Sequence, residues 1–401
     1  MKRITRTSLI AALSLTSLVT SMSADNLSEA FTNGKIKGEI KSVYSNSNFL
    51  GKTKSDDITT VGGSLGYVTG DFYGFKAGAT AQVSHVVSEN KNNSVFASDL
   101  DASGAVLSEI YIDYKLANTS AKAGRQFIYT PLVSSAIDGK SSESLIKDSF
   151  EAYLLTNTDI PDTVLVAGYV DKYQSKAAST NIGSFRQFED GAYTLYVKNN
   201  SVENLELQGQ YLNVNGLAVN ADRENLYFQM DYKLGMQTLS AQYLSSTDES
   251  KAVNLQDGEL FGIKATGPLG ISNLGYVVAF NSSTKDGDVN LGAGTGTTDT
   301  AFTAMPVNGG GVPTRANTDT LVGGIVIPIT DITTVAYAGN SWSNGGLGDV
   351  SAVGAMAIYP FYKNFLLKAN YEHVETENTI AAAGIVEGNT DVTRVYLSYK
   401  F

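Results

Sequence analysis

The sequence of 401 residues contains no cysteine and only two histidines, His85 and His373. The absence of cysteine excludes a disulfide framework, a thiolate metal site, a thiol nucleophile and a lipoprotein anchor. Two histidines leave little from which to build a catalytic constellation. We therefore predict a protein that is not an enzyme and that requires no metal and no cofactor.

Positive charge is also scarce, because 29 Lys and Arg stand against 40 Asp and Glu and the net charge is −11. The chain lacks the basic surface with which proteins bind nucleic acid, so we expect no nucleic-acid partner. Gly292, Gly294 and Gly296 alternate along one polar stretch. No strand–helix unit flanks them, so they do not form a nucleotide-binding loop.

Long apolar runs are missing, since no later segment reaches the ~18 residues of a transmembrane helix. The N-terminus differs: three cations open the chain, the short apolar stretch Thr7–Val19 follows, and small residues occupy Ser21–Ala24. This order is typical of an export signal. We predict a cleavable signal peptide over residues 1–24, cut near its end, and a mature domain over residues 25–401.

Apolar and polar residues alternate strictly in many segments of the mature chain. In Glu109–Leu116 the even positions are Ile, Ile, Tyr and Leu, while the odd positions include Glu, Asp and Lys. Leu205–Tyr211, Asn225–Leu234 and Phe365–Glu372 repeat the pattern. Strands of a β-sandwich alternate too, but their number, their length of about ten residues and their charged polar faces favour a transmembrane barrel. Only a closed barrel pairs every strand backbone inside a bilayer.

Short turn signals give the number of strands. They occur at Thr69–Gly74, Leu116–Ser120, Asp159–Asp162, Asn199–Asn204, Gly235–Met236, Gly267–Asn273, Pro328–Asp331 and Pro360–Asn364. Eight turns at one end imply nine hairpins, and hence an all-β antiparallel barrel of 18 strands; 16 strands remain open if one hairpin is miscounted. We expect the short turns in the periplasm and longer outer loops at Ser88–Leu107, Asn281–Asp319 and Thr376–Asp391. A barrel this wide encloses water.

The final strand places four residues on one face, namely Val395, Leu397, Tyr399 and the terminal Phe401. This ending resembles the C-terminal signal that the barrel-assembly machinery reads, although an ordinary last strand can also end on Phe. We interpret the four residues as an assembly signal. The predicted location is the Gram-negative outer membrane, with its lipid and lipopolysaccharide as surroundings.

Four segments resemble a known family: Asn26–Ile40, Ala123–Leu132, Asp148–Ala152 and Asp159–Thr163. They are similar to the OprD-type outer-membrane porins, most of all to members from Campylobacter-like bacteria. The resemblance implies an 18-stranded barrel with its third loop folded into the pore, and passive diffusion of small hydrophilic solutes and ions. A homotrimer stays open, because the sequence marks no interface.

Carried onto this chain, the resemblance places the constriction in Tyr129–Phe150. The candidate constriction residues are Arg125, Asp138, Lys140, Glu143, Lys147 and Asp148. Opposed charges across a narrow passage would produce a transverse field, whereas an ordinary solvated loop could carry the same charges. Arg125 is either part of a basic lumen wall or a structural cation beside an acidic neighbour. The family's Arg-x-x-Pro element is absent, and Lys140–Glu143 stands near its place.

Parity along the strands places further cations on the lumen side, namely Lys122, Lys198, Lys233, Lys368 and Arg394. Two other functions stay open at this point. A surface adhesin or structural barrel would use the long loops to bind a partner. A barrel enzyme would need histidine and acidic partners at one rim, which two histidines support poorly.

Overall fold

The computed structural model describes residues 26–48, 55–91, 100–136, 145–178, 180–215, 222–248, 257–284, 286–305, 313–344, 348–377 and 388–401. The predicted signal peptide, residues 1–24, lies outside the described residues. Within these ranges, no helix is long and apolar enough to cross a membrane.

The described chain is built almost entirely of strands. A short helix, α1 (Leu27–Thr32), precedes them, and one 3-10 helix spans Thr295–Asp299. The strands are β1 (Lys35–Asn48), β2 (Asp56–Val68), β3 (Phe75–Asn90), β4 (Gly104–Leu116), β5 (Thr119–Gln126), β6 (Tyr129–Thr130), β7 (Val133–Ser134), β8 (Ser149–Asn157), β9 (Thr163–Gln174), β10 (Arg186–Asn199), β11 (Leu205–Val214), β12 (Arg223–Leu234), β13 (Gln237–Asp248), β14 (Gly258–Pro268), β15 (Gly275–Ser283), β16 (Thr318–Ile329), β17 (Ile332–Ser343), β18 (Val350–Tyr362), β19 (Phe365–Thr376) and β20 (Gly388–Lys400).

Eighteen of these strands form one antiparallel sheet, and β6 and β7 pair only with each other. Strand β1 pairs with β2 on one side and with β20 on the other, so the sheet closes into a barrel. The backbone of the terminal Phe401 joins this closure, since its N–H donates to Gly38 O at 3.0 Å. The prediction of 18 strands is confirmed, and the alternative of 16 is excluded.

All eight predicted short turns join consecutive barrel strands at one end of the barrel. Gly235–Met236 is one of four turns with only two residues between the strands, and it connects β12 to β13. Gly235 has a φ of +62°, a conformation that glycine adopts without steric cost. The chain enters β1 and leaves β20 at the same end. The local turn chemistry therefore predicted the connectivity correctly.

Side chains alternate between the two faces of the sheet as expected. In β12, Phe228 is 53% exposed and Met230 is also exposed, whereas Asn225 and Tyr227 are buried. In β19, Lys368 is buried between outward-facing neighbours. The apolar residues thus cover the outside of the barrel and the polar residues face its lumen. This is the reverse of a soluble domain.

Aromatic side chains form groups on the outer surface. Tyr153, Tyr169 and Tyr193 lie side by side near the middle of β8, β9 and β10, with ring centroids 6.3 and 5.1 Å apart. At the turn end, the rings of Phe365 and Tyr399 are 4.5 Å apart. Aromatic rings at the end of the strands are typical of the interfacial girdles of transmembrane barrels.

Candidate functional site

The connection from β5 to β8 enters the barrel. We call residues 127–148 the first inner segment; positions 137–144 lie outside the described residues. Leu132 N donates to Gln210 Oε1 on β11 at 2.8 Å, and Leu132 is buried against the inner wall. Farther along the segment, Leu145 and Ile146 pack with Val43 of β1 and Tyr396 of β20. The segment therefore contacts walls on both sides of the lumen.

Lys147 lies within this segment and is held by its backbone. Its N–H donates to Gln82 Oε1 at 2.9 Å, and Gln82 Nε2 donates back to its carbonyl at 2.9 Å. The Lys147 ammonium donates to the Tyr129 hydroxyl at 3.0 Å and lies 5.8 Å from the centre of the Phe127 ring. The candidate Lys147 is thus placed inside the barrel, among aromatic side chains.

A second connection also turns inward. We call residues 284–317, between β15 and β16, the second inner segment; positions 285 and 306–312 lie outside the described residues. Leu291 and Ala293 belong to the same buried cluster as Leu132 and Val133. Ala293 N donates to Leu132 O at 2.9 Å, and Ser134 N donates to Ala293 O at 3.0 Å, so the segment adds a short parallel pairing to β7. The sequence analysis placed this stretch in an outer loop, and the described part of it lies instead against the first inner segment.

The alternating glycines explain how two backbones approach so closely. A Cβ at Gly292 would overlap the Leu132 carbonyl oxygen, and one at Gly294 would overlap the Ser134 carbonyl oxygen. These two glycines have φ values of +100° and +93°, which other residues adopt only with strain. Glycine at alternate positions is a known sign of close backbone approach. The glycine spacing in the sequence is consistent with such a close approach, but the sequence does not identify the backbone that these glycines approach.

Asp148 ends the first inner segment and is fully buried. Its Oδ2 accepts from Thr295 N at 2.6 Å, Thr295 Oγ1 at 2.8 Å and Tyr173 OH at 2.9 Å, and its Oδ1 accepts from Lys176 N at 2.6 Å. Burial raises the pKa of the Asp148 carboxyl above its usual range, and the charge of Lys176 opposes that rise. The carboxylate thus connects the two inner segments and has no exposed surface with which to line a passage.

Arg125 lies on the outer face of the barrel. It pairs with Ile110, whose side chain is 52% exposed, and with Glu151. Arg125 Nε donates to Glu151 Oε1 at 2.7 Å, and Lys172 Nζ donates to the other oxygen of that carboxylate at 2.6 Å. This geometry matches the alternative that Arg125 is a structural cation beside an acidic neighbour. It differs from the alternative that Arg125 belongs to a basic lumen wall. The reason is strand parity, because the neighbouring Gln126 is the one that points inward.

Three of the candidate constriction residues, Asp138, Lys140 and Glu143, lie outside the described residues. The structure therefore brings Lys147 and Asp148 together in the first inner segment and places Arg125 elsewhere.

The lumen wall carries charged residues of both signs. Lys122 lies over the Tyr111 ring at 3.7 Å and 3.8 Å from Glu109, and Lys198 lies 2.9 Å from Glu206. These lysines are therefore compensated by neighbouring carboxylates.

Arg394 and Lys368 form a second group of lumen cations, which we call the cationic patch. Both are buried on β20 and β19, and the Lys368 ammonium lies 5.4 Å from the Tyr396 ring. Glu372 follows Lys368 on the same face of β19, and its carboxylate accepts a hydrogen bond from Tyr337. Arg394 has no hydrogen-bond partner for any guanidinium nitrogen within the described ranges.

The wall across the lumen from this patch is rich in amides and carboxylates. Strand β11 is nine barrel strands from β20, half of the way around the sheet. There Tyr196 OH donates to Gln208 Oε1 at 2.9 Å, and Gln208 Nε2 donates to Glu206 Oε1 at 2.9 Å. A parallel chain on β12 runs from Tyr227 through Gln229 to Asp231. Lys368 and Arg394 thus lie on one wall with Glu372 beside them, and amides, carboxylates and Lys198 lie on the other.

The chain has clear structural relatives. No family model matches it, and no curated protein matches it in sequence. OpdO of Pseudomonas aeruginosa superimposes with a TM-score of 0.73 at 14% identity, covering 93% of this chain and 98% of that one. OpdK, an outer membrane protein of the same organism, gives 0.72 at 14% identity, covering 92% and 99%. OccAB2 of Acinetobacter baumannii gives 0.71 at 15% identity, covering 93% and 99%. The likeness spans the barrel from end to end and shows that the fold is shared.

Proposed function

We propose that the chain is an outer-membrane porin of the OprD type, through which small hydrophilic solutes and ions diffuse passively. The closed 18-stranded barrel with apolar residues outside and polar residues inside carries this proposal. A barrel of this strand number is wide enough to hold an aqueous channel. The shared fold with OpdK, an outer membrane protein, supports the same assignment.

The two inner segments supply the constriction in this proposal. Both share one buried cluster with the wall from β8 to β14. The first also packs against β1 and β20, and the second against β16 and β17, so the passage runs past their remaining surface. Lys147 and the loop residues Asp138, Lys140 and Glu143 are proposed to present charge to the passing solute. Asp148 and Arg125 would act by holding structure, because their charged groups are already bound by neighbours.

Location and assembly follow from the same premise. The leader over residues 1–24 would direct export, and the machinery would read the outward face of β20. Leu397 and Phe401 are both exposed on that face, which is what recognition of the strand requires. The apolar belt would contact membrane lipid, and the loop end would lie among lipopolysaccharide.

The deciding experiment is conductance in a planar lipid bilayer. Protein purified from outer membranes should insert as discrete, ohmic conducting steps that do not depend on an energy source. Liposomes that contain it should swell in isotonic solutions of small sugars or amino acids. The absence of both steps and swelling, for a protein that keeps the heat-modifiable gel mobility of a closed barrel, would overturn the porin assignment. The same preparation with both histidines replaced should conduct identically, since neither is given a role in transport.

A further inference from the structure

One buried carboxylate, that of Asp148, lies in the contact between the two inner segments. We propose that Asp148 is a positioning residue of the constriction: it fixes the second inner segment against the first, and this attachment sets the width of the passage. The inference rests on the proposed porin function, since it assigns a role inside that channel.

The first support is the number of parts that Asp148 joins. Its carboxylate accepts from Thr295 on the second inner segment, from Tyr173 on β9 and from Lys176 beyond β9. Its own N–H donates to Ser135 O at 2.9 Å on the first inner segment. Hydrogen bonds to an ionised acceptor are among the strongest that a protein makes. One side chain therefore holds both segments and the wall behind them.

The second support is that, within the described residues, few polar side chains other than Asp148 join the two inner segments. Gly292 and Gly294 meet the backbone carbonyl groups of Leu132 and Ser134, so the glycines contribute no side chains of their own to the contact. What remains is the backbone pairing around Ala293, a bond from Thr300 Oγ1 to Pro131 O at 3.0 Å and apolar packing. Glycine-rich backbone has more conformations available once it is released. Barrel-wall side chains also hold the second inner segment, since Asn225 Nδ2 donates to Asn290 O at 2.6 Å and Thr303 N donates to Asn281 Oδ1 at 3.0 Å. Asp148 is the charged side chain that bonds this segment to the first one.

Removing the carboxylate should loosen the second inner segment. Asp148→Asn keeps the shape and removes the charge, and its amide NH2 must face either the Lys176 N–H or the donors of Thr295 and Tyr173. We expect a higher single-channel conductance and a several-fold rise in open-channel current noise relative to the native protein. Thr295→Val, which removes one of the donors and keeps the side-chain shape, should change both quantities in the same direction by less. Asp190→Asn, at an exposed position near the loop end, is the matched control and should conduct like the native channel.

A disulfide distinguishes positioning from a general folding role. The chain has no cysteine, so Val133→Cys with Ala293→Cys introduces a single pair, and these two residues face each other across the parallel pairing. Residues so paired lie within the Cα separation of about 4.4–6.8 Å that a disulfide spans. In the Asp148→Asn background, oxidation of the cysteine pair should restore the native conductance and lower the open-channel current noise. A reductant should reverse both changes.

The outcomes separate the two proposals. Asp148→Asn channels that match the native and Asp190→Asn channels in conductance and noise would overturn the positioning role and leave the porin intact. An oxidised double-cysteine channel that stays noisy would overturn it as well. If the native protein itself produces no conducting steps, the porin function fails first. Should Asp148→Asn not assemble, Thr295→Val decides the question by the same two readouts, measured with and without the Val133→Cys and Ala293→Cys pair.

Discussion

Arg394 on β20 lies directly opposite Asn370 on β19, and both side chains are buried toward the lumen. The guanidinium nitrogens of Arg394 and the amide atoms of Asn370 have no hydrogen-bond partner within the described ranges. An unpaired buried cation is costly unless an anion or water approaches it. The pair is therefore the part of the lumen wall best prepared to attract negative charge.

The first prediction concerns the ionic selectivity of the channel. Arg394→Gln should move the reversal potential in a salt gradient toward cation selectivity, because it removes a lumen-side cation whose guanidinium has no hydrogen-bond partner among the described residues. Arg125→Gln removes the same charge from the outer face, where Glu151 holds it, and should leave the reversal potential unchanged. Equal shifts in the two variants would show that selectivity follows the total charge of the protein and not the charge of the wall.

The second prediction tests the charged loop of the first inner segment. Lys140→Glu should shift the reversal potential toward cations if this loop faces the narrowest part of the passage, since a constriction concentrates the field of its charges. Lys363→Glu makes the same change on an exposed turn at the opposite end of the barrel. At 0.1 M salt, charges beyond a Debye length of about 10 Å are screened, so this control should have little effect. An unchanged potential for Lys140→Glu would move the constriction elsewhere.

The third prediction separates backbone strain from steric overlap at a glycine. Gly294→Ala places a Cβ against the Ser134 carbonyl oxygen and should displace the second inner segment, which raises the single-channel conductance. Gly270→Ala is the control, because its φ of +76° carries similar strain while no atom lies within 4 Å of the added Cβ. Each change costs about 1–2 kcal/mol in backbone strain, yet only Gly294→Ala should alter the current. Altered conductance in both variants would attribute the effect to stability alone.

The fourth prediction concerns assembly. Phe401→Ser should lower the amount of heat-modifiable barrel in outer membranes. Lys400→Ser should not, since Lys400 is largely exposed and its ammonium lies 4.0 Å from the Glu39 carboxylate. Exposed ion pairs of this kind contribute about 0–1 kcal/mol. Refolding of both proteins in detergent controls for intrinsic stability. If Phe401→Ser refolds as poorly as it assembles, the residue stabilises the closed barrel and is not needed for recognition.

Much of the fold could be predicted from short-range pattern. The two-residue period assigned the outward face of Phe228 and the inward face of Lys368 correctly, because a strand can place its side chains only on alternate sides. Turn residues such as Gly235–Met236 gave the number of hairpins for a similarly local reason. The outward face of Arg125 could also have been predicted by counting along β5. Lys122 on the same strand faces inward, and a side chain three positions later must face outward.

The sequence by itself determined the barrel and its two faces and favoured 18 strands over 16, since alternation and turn chemistry act between neighbours along the chain. The tertiary structure alone decided what fills the lumen. Asp148 and Thr295 are 147 residues apart, and the glycines near Thr295 acquire a purpose only beside Leu132 and Ser134. No local pattern encodes a contact across that separation, because it depends on where two long connections meet after the barrel has closed.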